Sequence, residues 1–110
     1  MNALTALDQA RAYRTLTALA ESTPGLPAAD IHVRGHITLT SMLTVEVVAH
    51  HDREAFEAWR DALGIEEVDE RQLSFGGWVT SGHAIREGIA FVLTLHHRQP
   101  APVYALAGAA

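Results

Sequence analysis

Residues 52–64 read Asp-Arg-Glu-Ala-Phe-Glu-Ala-Trp-Arg-Asp-Ala-Leu-Gly, the segment of this chain with the clearest structural pattern. Phe56, Trp59 and Leu63 recur at helical spacing and form one apolar stripe. Asp52 is a good N-cap, because its carboxylate can accept a hydrogen bond from a free amide of the first turn. Gly64 supplies the left-handed stop. We predict a helix from about Asp52 to Leu63 that covers one side of a sheet.

The residues before this helix alternate with a period of two, which is typical of strands. A first strand begins at Ile31 and continues to about Leu39. A turn near Thr40 separates it from a second strand, which runs from Leu43 to Ala49. The two strands are expected to pair as a hairpin.

Three more strands are predicted after the helix. The last one, from Ile89 to His96, is apolar on both faces over most of its length, which indicates a central position or a covered second face. Trp78 is interpreted as a core residue rather than an exposed anchor of an interface. The other two predicted strands and the turns are Val68–Phe75, a two-residue turn at Gly76-Gly77, Trp78–Ile85, and a turn at Arg86-Glu87-Gly88.

An N-terminal helix from about Thr5 to Glu21 completes the elements, with Ala12, Leu16, Leu19 and Ala20 on its apolar stripe. The order is α-β-β-α-β-β-β. Strands and helices that do not strictly alternate favour a two-layer α+β fold, with an antiparallel sheet of about five strands and both helices on one face. Residues 1–99 are expected to form a single domain, and residues 100–110 a Pro/Ala-rich C-terminal tail.

Composition narrows the function classes. The chain has 110 residues, of which 48% are hydrophobic and 19% charged, as in an ordinary globular domain. It has no cysteine, which excludes disulfides and thiolate metal sites. The formal net charge is −5 and the arginines are scattered, which argues against a nucleic-acid groove. With no signal-peptide pattern and no long apolar run, we expect a cytoplasmic protein without membrane contact.

Seven histidines are the unusual feature of the composition. His32 and His36 share one strand face with Arg34 between them, but four residues of strand span about 13 Å, whereas zinc binds nitrogens at about 2 Å. The adjacent pairs His50-His51 and His96-His97 point to opposite faces. We therefore expect ordinary histidines on the polar face or at strand ends. Two alternatives stay open: a metal site across strands from His36, His50, His83 and His96, and pH-sensitive association.

No motif in the sequence identifies a catalytic chemistry. The acidic run Glu66–Glu70 lacks apolar shielding and is interpreted as a solvated loop and strand start. The stretch Thr80–His83 is not the nucleophile elbow of hydrolases. Gly76-Gly77 lacks the lysine and helix of a phosphate loop. We predict no catalytic residue, no metal ligand set and no cofactor, and favour a protein without enzymatic activity.

The segment Phe56–Gly64 resembles part of small, mostly uncharacterised proteins of actinobacteria and their phages. The earlier segments Leu26–Ala28 and Asp30–Val33 are similar to them as well. In that group an N-terminal helix precedes a proline-containing loop, a strand pair and the FEAWR-like helix. The resemblance covers about residues 10–65 and implies the same element order, but no activity and no catalytic residue.

We expect a small non-enzymatic accessory or regulatory binding protein that acts through its sheet face or edge, with a phage or mobile-element connection. Its partner is expected to be another protein or a second copy of the chain. One alternative is a histidine-lined domain for a small ligand or a metal. Another is an acidic inhibitor of a nucleic-acid-binding partner. The candidate residues for binding a ligand or partner are Arg34, His36, His83 and His96.

Overall fold

The computed structural model describes residues 4–35 and 43–98, and its elements follow the predicted order. The α+β fold is thereby confirmed. The predicted end of the first strand, the turn near Thr40 and the tail at residues 100–110 lie outside the described residues. The elements are α1 (Ala6–Ser22), β1 (Asp30–Gly35), β2 (Leu43–His50), α2 (Arg53–Leu63), β3 (Asp69–Gln72), β4 (Trp78–Arg86) and β5 (Ile89–His97).

The strands form one sheet in the order β1-β2-β5-β4-β3. β1 pairs with β2 as the predicted hairpin, and β4 pairs with both β3 and β5; these pairings are antiparallel. β2 and β5 are parallel, so the sheet is mixed and antiparallel only in part. A parallel neighbour requires a crossover connection, which α2 and the β3–β4 hairpin provide.

The polarity of the strands explains their places in the sheet. β5 is apolar on both faces and occupies the centre, as the sequence predicts. The edge strand β3 reads Asp-Glu-Arg-Gln and is only four residues long. A short, charged edge strand resists pairing with other chains. β3 is shorter than predicted, because residues 73–77 form the turn that leads into β4.

α2 has the predicted cap, stripe and stop. Asp52 accepts a hydrogen bond from the Ala55 amide over 2.9 Å, and Gly64 has a left-handed φ of 71°. The apolar stripe packs against β5 and β2, and α1 packs against β2 and β1, in one shared hydrophobic core. That core contains Ala12 and Leu19 of α1, Phe56, Trp59 and Leu63 of α2, Ile65, and the inward side chains of β2 and β5. Both helices therefore cover the same face.

α1 begins at a capping box, in which Thr5 and Asp8 exchange hydrogen bonds. These bonds to Thr5 hold the pKa of Asp8 below its usual value. The apolar stripe differs from the prediction, because Ala20 is exposed and Thr15 is buried. The hydroxyl of Thr15 donates to Glu87 Oε2 over 3.1 Å, which lets a polar residue take this place against the β4–β5 turn.

The β3–β4 turn differs from the one that the sequence predicts. The prediction of a two-residue turn at Gly76-Gly77 is wrong. The Leu73 amide donates to the carbonyl oxygen of Gly77, and the Gly76 amide donates to the carbonyl oxygen of Leu73, so the turn is longer. Only Gly76 of the glycine pair has a positive φ, at 97°. The β4–β5 turn is tighter, since Glu87 and Gly88 both have positive φ angles of 52° and 79°.

The sheet has two faces, which the register defines. The helix face carries the core side chains of β2 and β5. The open face is the opposite one. It consists of Asp30, His32 and Arg34; Thr44, Glu46, Val48 and His50; Ala90, Val92, Thr94 and His96; Val79, Ser81, His83 and Ile85; and Asp69 and Arg71. No helix in the described residues is long and apolar enough to cross a membrane.

Candidate functional site

Arg34 lies on the open face, at the end of β1 farthest from His50. Its guanidinium contacts Glu46 Oε1 over 2.6 Å, and its side chain remains half-exposed. The carboxylate of Glu46 already satisfies this charge. An exposed ion pair of this kind contributes little to stability, and here it leaves Arg34 less available to an anionic ligand.

The described candidates do not converge on one site. Arg34 pairs with Thr44 of β2, whereas His96 pairs with His50 of the same strand. Thr44 and His50 are six residues apart, so about 20 Å along the strand direction separates Arg34 from His96. His83 is exposed opposite Val92, about 13 Å along the sheet from His96. His36 lies outside the described residues. A ligand site lined by Arg34, His83 and His96 together is therefore not formed.

His96 instead meets a different histidine. It is the register partner of His50 across the parallel strands, and the two rings stack with centroids 5.7 Å apart and planes 15° apart. His50 Nε2 also lies 3.1 Å from a carboxylate oxygen of Asp30. Nearly parallel rings do not direct their nitrogens at one ion about 2 Å away. Within residues 4–35 and 43–98, no group of three or more acidic or histidine side chains is placed to hold a metal.

The residue after His50 has an unusual backbone. His51 has a φ of 57°, in the left-handed region that side chains rarely adopt. Its amide donates to the carbonyl oxygen of His96 over 2.8 Å, which ties the end of β2 to the end of β5. A strained residue of this kind persists only where its surroundings hold it, and such residues cluster at functional sites.

The local environment makes a charge on His96 unfavourable. Burial lowers the pKa of His96, and the nearby His50, His51 and His97 lower it further. Each of these neighbours would repel a second positive charge if protonated. A bound anion would relieve this repulsion, so proton uptake by His96 and anion binding should favour each other.

A pocket of about 480 Å³ opens at this end of the sheet. We call it the histidine pocket. Three segments form it: the residue that follows β2, the β3–β4 turn with the start of β4, and the end of β5. Its described lining residues are His51, Leu73, Phe75, Gly76, Gly77, Trp78, His96, His97 and Arg98. They combine imidazoles and a guanidinium with aromatic and aliphatic carbon, and they include no carboxylate.

The turn supplies the apolar wall of the pocket. Phe75 is 82% exposed, although its ring is large and apolar. Trp78 is half-buried at the start of β4, so it is a pocket wall rather than the core residue that the sequence favours. A Cβ at Gly77 would meet the ring of Phe75 at 3.5 Å, an ordinary contact. The turn carries the phenyl ring exposed to solvent beside the pocket.

His97 adjoins a buried polar cluster on the helix face. The Thr80 hydroxyl donates to Glu70 Oε2 over 3.0 Å, and His97 Nε2 lies 2.9 Å from the same hydroxyl oxygen. His97 Nε2 is also 3.4 Å from Glu70 Oε2. The side chains of His97 and Glu70 are 11% and 6% exposed. The cluster fixes one edge of the pocket, since a buried hydrogen-bonded network is rigid.

These three side chain types also occur in catalytic triads, but the geometry here differs. In a triad the imidazole uses one nitrogen for the carboxylate and the other for the hydroxyl. Here Nε2 of His97 faces both Glu70 and Thr80. Thr80 is fully buried, so its hydroxyl cannot reach a substrate. The arrangement stabilises the sheet and positions His97 rather than activating a nucleophile.

Sequence reasoning missed most of this site. The sequence predicts Glu70 in a solvated stretch, but its carboxylate is buried against Thr80, its register partner on β4. The sequence does contain a hint of the His50–His96 contact, because β2 and β5 each end in a His-His pair. This hint predicts a contact only if β2 and β5 are known to be parallel neighbours.

Comparisons of the chain with protein-family models, with curated proteins and with solved structures find no match. The resemblance of the α2 segment to actinobacterial and phage proteins therefore stays a prediction.

Proposed function

We propose that this chain is a non-enzymatic binding protein of the cytoplasm, and that the histidine pocket binds a small molecule. The observation that carries the proposal is the lining of the pocket, in which charged or polar nitrogens and aromatic rings face one cavity. A volume of about 480 Å³ is within the usual range for small-molecule sites. Such sites combine mostly apolar walls with a few placed polar groups.

The exposure of Phe75 supports a binding role. Fully exposing a large apolar side chain forgoes about 1.5–3 kcal/mol of burial free energy. The backbone hydrogen bonds within residues 73–77 fix the turn that carries this exposed ring. A ligand that covers the ring recovers part of that free energy on binding.

The absence of an activated nucleophile at the pocket supports a protein that binds without reacting. Among the described lining residues there is no serine, threonine or carboxylate. His97 could serve as a base, but its Nε2 is engaged by Thr80 and Glu70.

The test is a fragment screen followed by site mapping. The Trp59→Phe variant retains Trp78 as its single tryptophan, so its fluorescence reports on the pocket. We expect fragments that change this fluorescence to lose binding in a Phe75→Ala background. Tyr13→Ala is the matched control, because Tyr13 is also an exposed aromatic residue (55%) but lies on α1. Hits that survive Phe75→Ala, or a screen with no hits, would contradict the proposal.

A second candidate function is self-association through the open face. The observation that favours it is Ile85, which is 62% exposed near the apolar side chains of Val92 and Ala90. Around them the face carries paired charges of both signs, such as Arg34 with Glu46. A two-fold interface requires one surface to complement itself, and a surface with both signs meets that requirement.

Native mass spectrometry across a range of concentrations tests this second candidate. We expect a dimer that the Ile85→Asp variant converts to a monomer with an unchanged unfolding midpoint. A monomer at every concentration would exclude self-association. The same spectra show whether zinc or nickel is retained, which tests the metal alternative directly.

A further inference from the structure

We propose that the ligand of the histidine pocket is an aromatic carboxylate, with its carboxylate toward Arg98 and the histidines and its ring against Trp78 and Phe75. This inference rests on the proposed function, because it names the class of molecule that the same pocket binds.

The pocket is lined by basic nitrogens in a chain whose formal net charge is −5. Within the described residues, neither Arg98 nor His96 has a carboxylate partner in an ion pair, whereas His50 is paired with Asp30 and His97 with Glu70. An anionic group on the ligand is the complement that these two side chains lack, and arginine binds carboxylates through two parallel hydrogen bonds.

The orientation of the histidine rings suits an anion rather than a metal cation. His50 and His96 stack nearly in parallel, so their nitrogens do not converge on one point. His97 directs Nε2 at Thr80 and Glu70 rather than into a shared ligand position. Imidazoles that do not converge can still each donate a hydrogen bond to an oxygen of an anion, which demands no tetrahedral geometry.

The basic side chains of the pocket come from the ends of β2 and β5, and the aromatic rings come from the β3–β4 turn and the start of β4, where Trp78 is the register partner of His97. Aromatic pairs favour offset or edge-to-face contacts between rings. A small inorganic anion would leave Phe75 uncovered. A ligand that has both a carboxylate and a planar apolar body satisfies both walls at once.

The groups around His96 are His50 and His51 from the β2 end, and His97 and Arg98 from β5; β4 places the apolar Val79 beside it. Two carboxylates also contact the group: Asp30 is paired with His50, and Glu70 with His97. Since a carboxylate beside His96 favours the charged form of its imidazole, carboxylate binding and proton uptake by His96 are linked. Binding of a carboxylate should therefore tighten as the pH falls from 8 to 6.

The experiment compares three probes by calorimetry at pH 8 and pH 6. These are 2-naphthoate, its neutral counterpart 2-naphthamide, and acetate. We expect 2-naphthoate to bind at least about tenfold more tightly than 2-naphthamide, as for a ligand that gains a charge-assisted contact. Acetate should bind too weakly to detect. The affinity for 2-naphthoate should rise at pH 6, and that for 2-naphthamide should not change.

Two variants assign the contacts. Arg98→Gln should weaken 2-naphthoate about tenfold and leave 2-naphthamide unchanged, whereas Phe75→Ala should weaken both. Arg14→Gln is the matched control, because Arg14 is an exposed arginine on α1 outside the histidine pocket. Unfolding midpoints measured alongside show that Arg98→Gln is folded.

The outcomes separate this inference from the proposed function. Equal binding of 2-naphthoate and 2-naphthamide, with loss of both in Phe75→Ala, would overturn the carboxylate assignment and leave the pocket as a ligand site. An affinity for 2-naphthoate that changes neither in Arg98→Gln nor between pH 8 and pH 6 would overturn the carboxylate assignment as well. Failure of all three probes alongside pocket-dependent hits of another chemical class would do the same. Only a fragment screen without pocket-dependent hits removes the proposed function.

Discussion

The indole Nε1–H of Trp59 donates a hydrogen bond to the carbonyl oxygen of Pro27 over 2.8 Å. Trp59 is on α2, and Pro27 is in the proline-containing loop before β1. The bond therefore ties the main covering helix to the loop that leads α1 into the sheet. The tryptophan itself is only 3% exposed, so its ring also fills the core between these elements.

We predict that Trp59→Ala destabilises the domain by about 3–5 kcal/mol, as expected for a large aromatic truncated in a core. Trp59→Phe should cost less, about 1–2 kcal/mol, because it retains much of the ring and loses mainly the hydrogen bond to Pro27. Denaturant titrations of both variants measure the difference. Equal costs for the two substitutions would show that the hydrogen bond and the loop matter more than the packing.

The sequence predicted α2 well because its signals are local. The cap at Asp52, the stop at Gly64 and the apolar stripe lie within one short segment. Arg60 shows the limit of such reasoning. Its guanidinium is buried and donates to the carbonyl oxygens of Ile65 and Glu66 over 3.0 and 2.6 Å. Arg60 therefore satisfies two backbone carbonyl groups of the segment that follows the helix. Side-chain spacing alone does not reveal this role.

Gly82 of β4 should tolerate no side chain. A Cβ at this position would lie 2.7 Å from Ile65 Cγ2 and 3.0 Å from the Glu67 carbonyl oxygen. Backbone atoms of the α2–β3 connection would have to shift, so we expect Gly82→Ala to cost about 1–3 kcal/mol, as for overpacking. Thermal or denaturant unfolding measures the loss.

Gly77→Ala is the matched control for Gly82. A Cβ at Gly77 would meet its nearest neighbour at 3.5 Å, an ordinary contact. The free energy of unfolding of the Gly77→Ala variant should remain within about 0.5 kcal/mol of that of the parent. If both glycine variants lose similar stability, strand propensity rather than close packing at Gly82 explains the result.

Thr44 and Thr80 should respond in opposite ways to replacement by valine. Both are buried, at 4% and 0% exposure. The hydroxyl of Thr80 donates to Glu70 and contacts His97, whereas that of Thr44 has no hydrogen-bond partner among residues 4–35 and 43–98. Thr80→Val should cost about 1–3 kcal/mol, because it breaks a buried network. Thr44→Val should be neutral or stabilising, since it removes an unsatisfied buried polar group. Chemical denaturation of the two variants, each as a difference from the parent, tests this contrast. A loss of stability in Thr44→Val equal to that in Thr80→Val would contradict it.

The candidate site could be predicted only in part, for physical reasons. His96 was identified from its residue type, but Arg34 and His83 lie elsewhere on the open face. A strand pattern gives the face of each side chain without naming its neighbours across the sheet. The meeting of His50 with His96, and of Glu70 with Thr80, depends on strand order and register. Those depend on the whole core rather than on any local signal.

His96 should make stability depend on pH. Its pKa is lowered by burial and by the neighbouring histidines, so the unfolded chain takes up this proton more readily than the folded one. The stabilising contribution is present above the ordinary histidine value of about 6.5 and is lost as pH falls through the lower folded value. Unfolding free energies of the parent and of His96→Gln, measured from pH 8 to pH 5, test this. At pH 8 the difference between the two contains no contribution from proton uptake, because His96 is neutral in both the folded and the unfolded state. We expect the parent to lose more stability than His96→Gln as the pH falls. Parallel curves would show that the proton on His96 does not couple to folding.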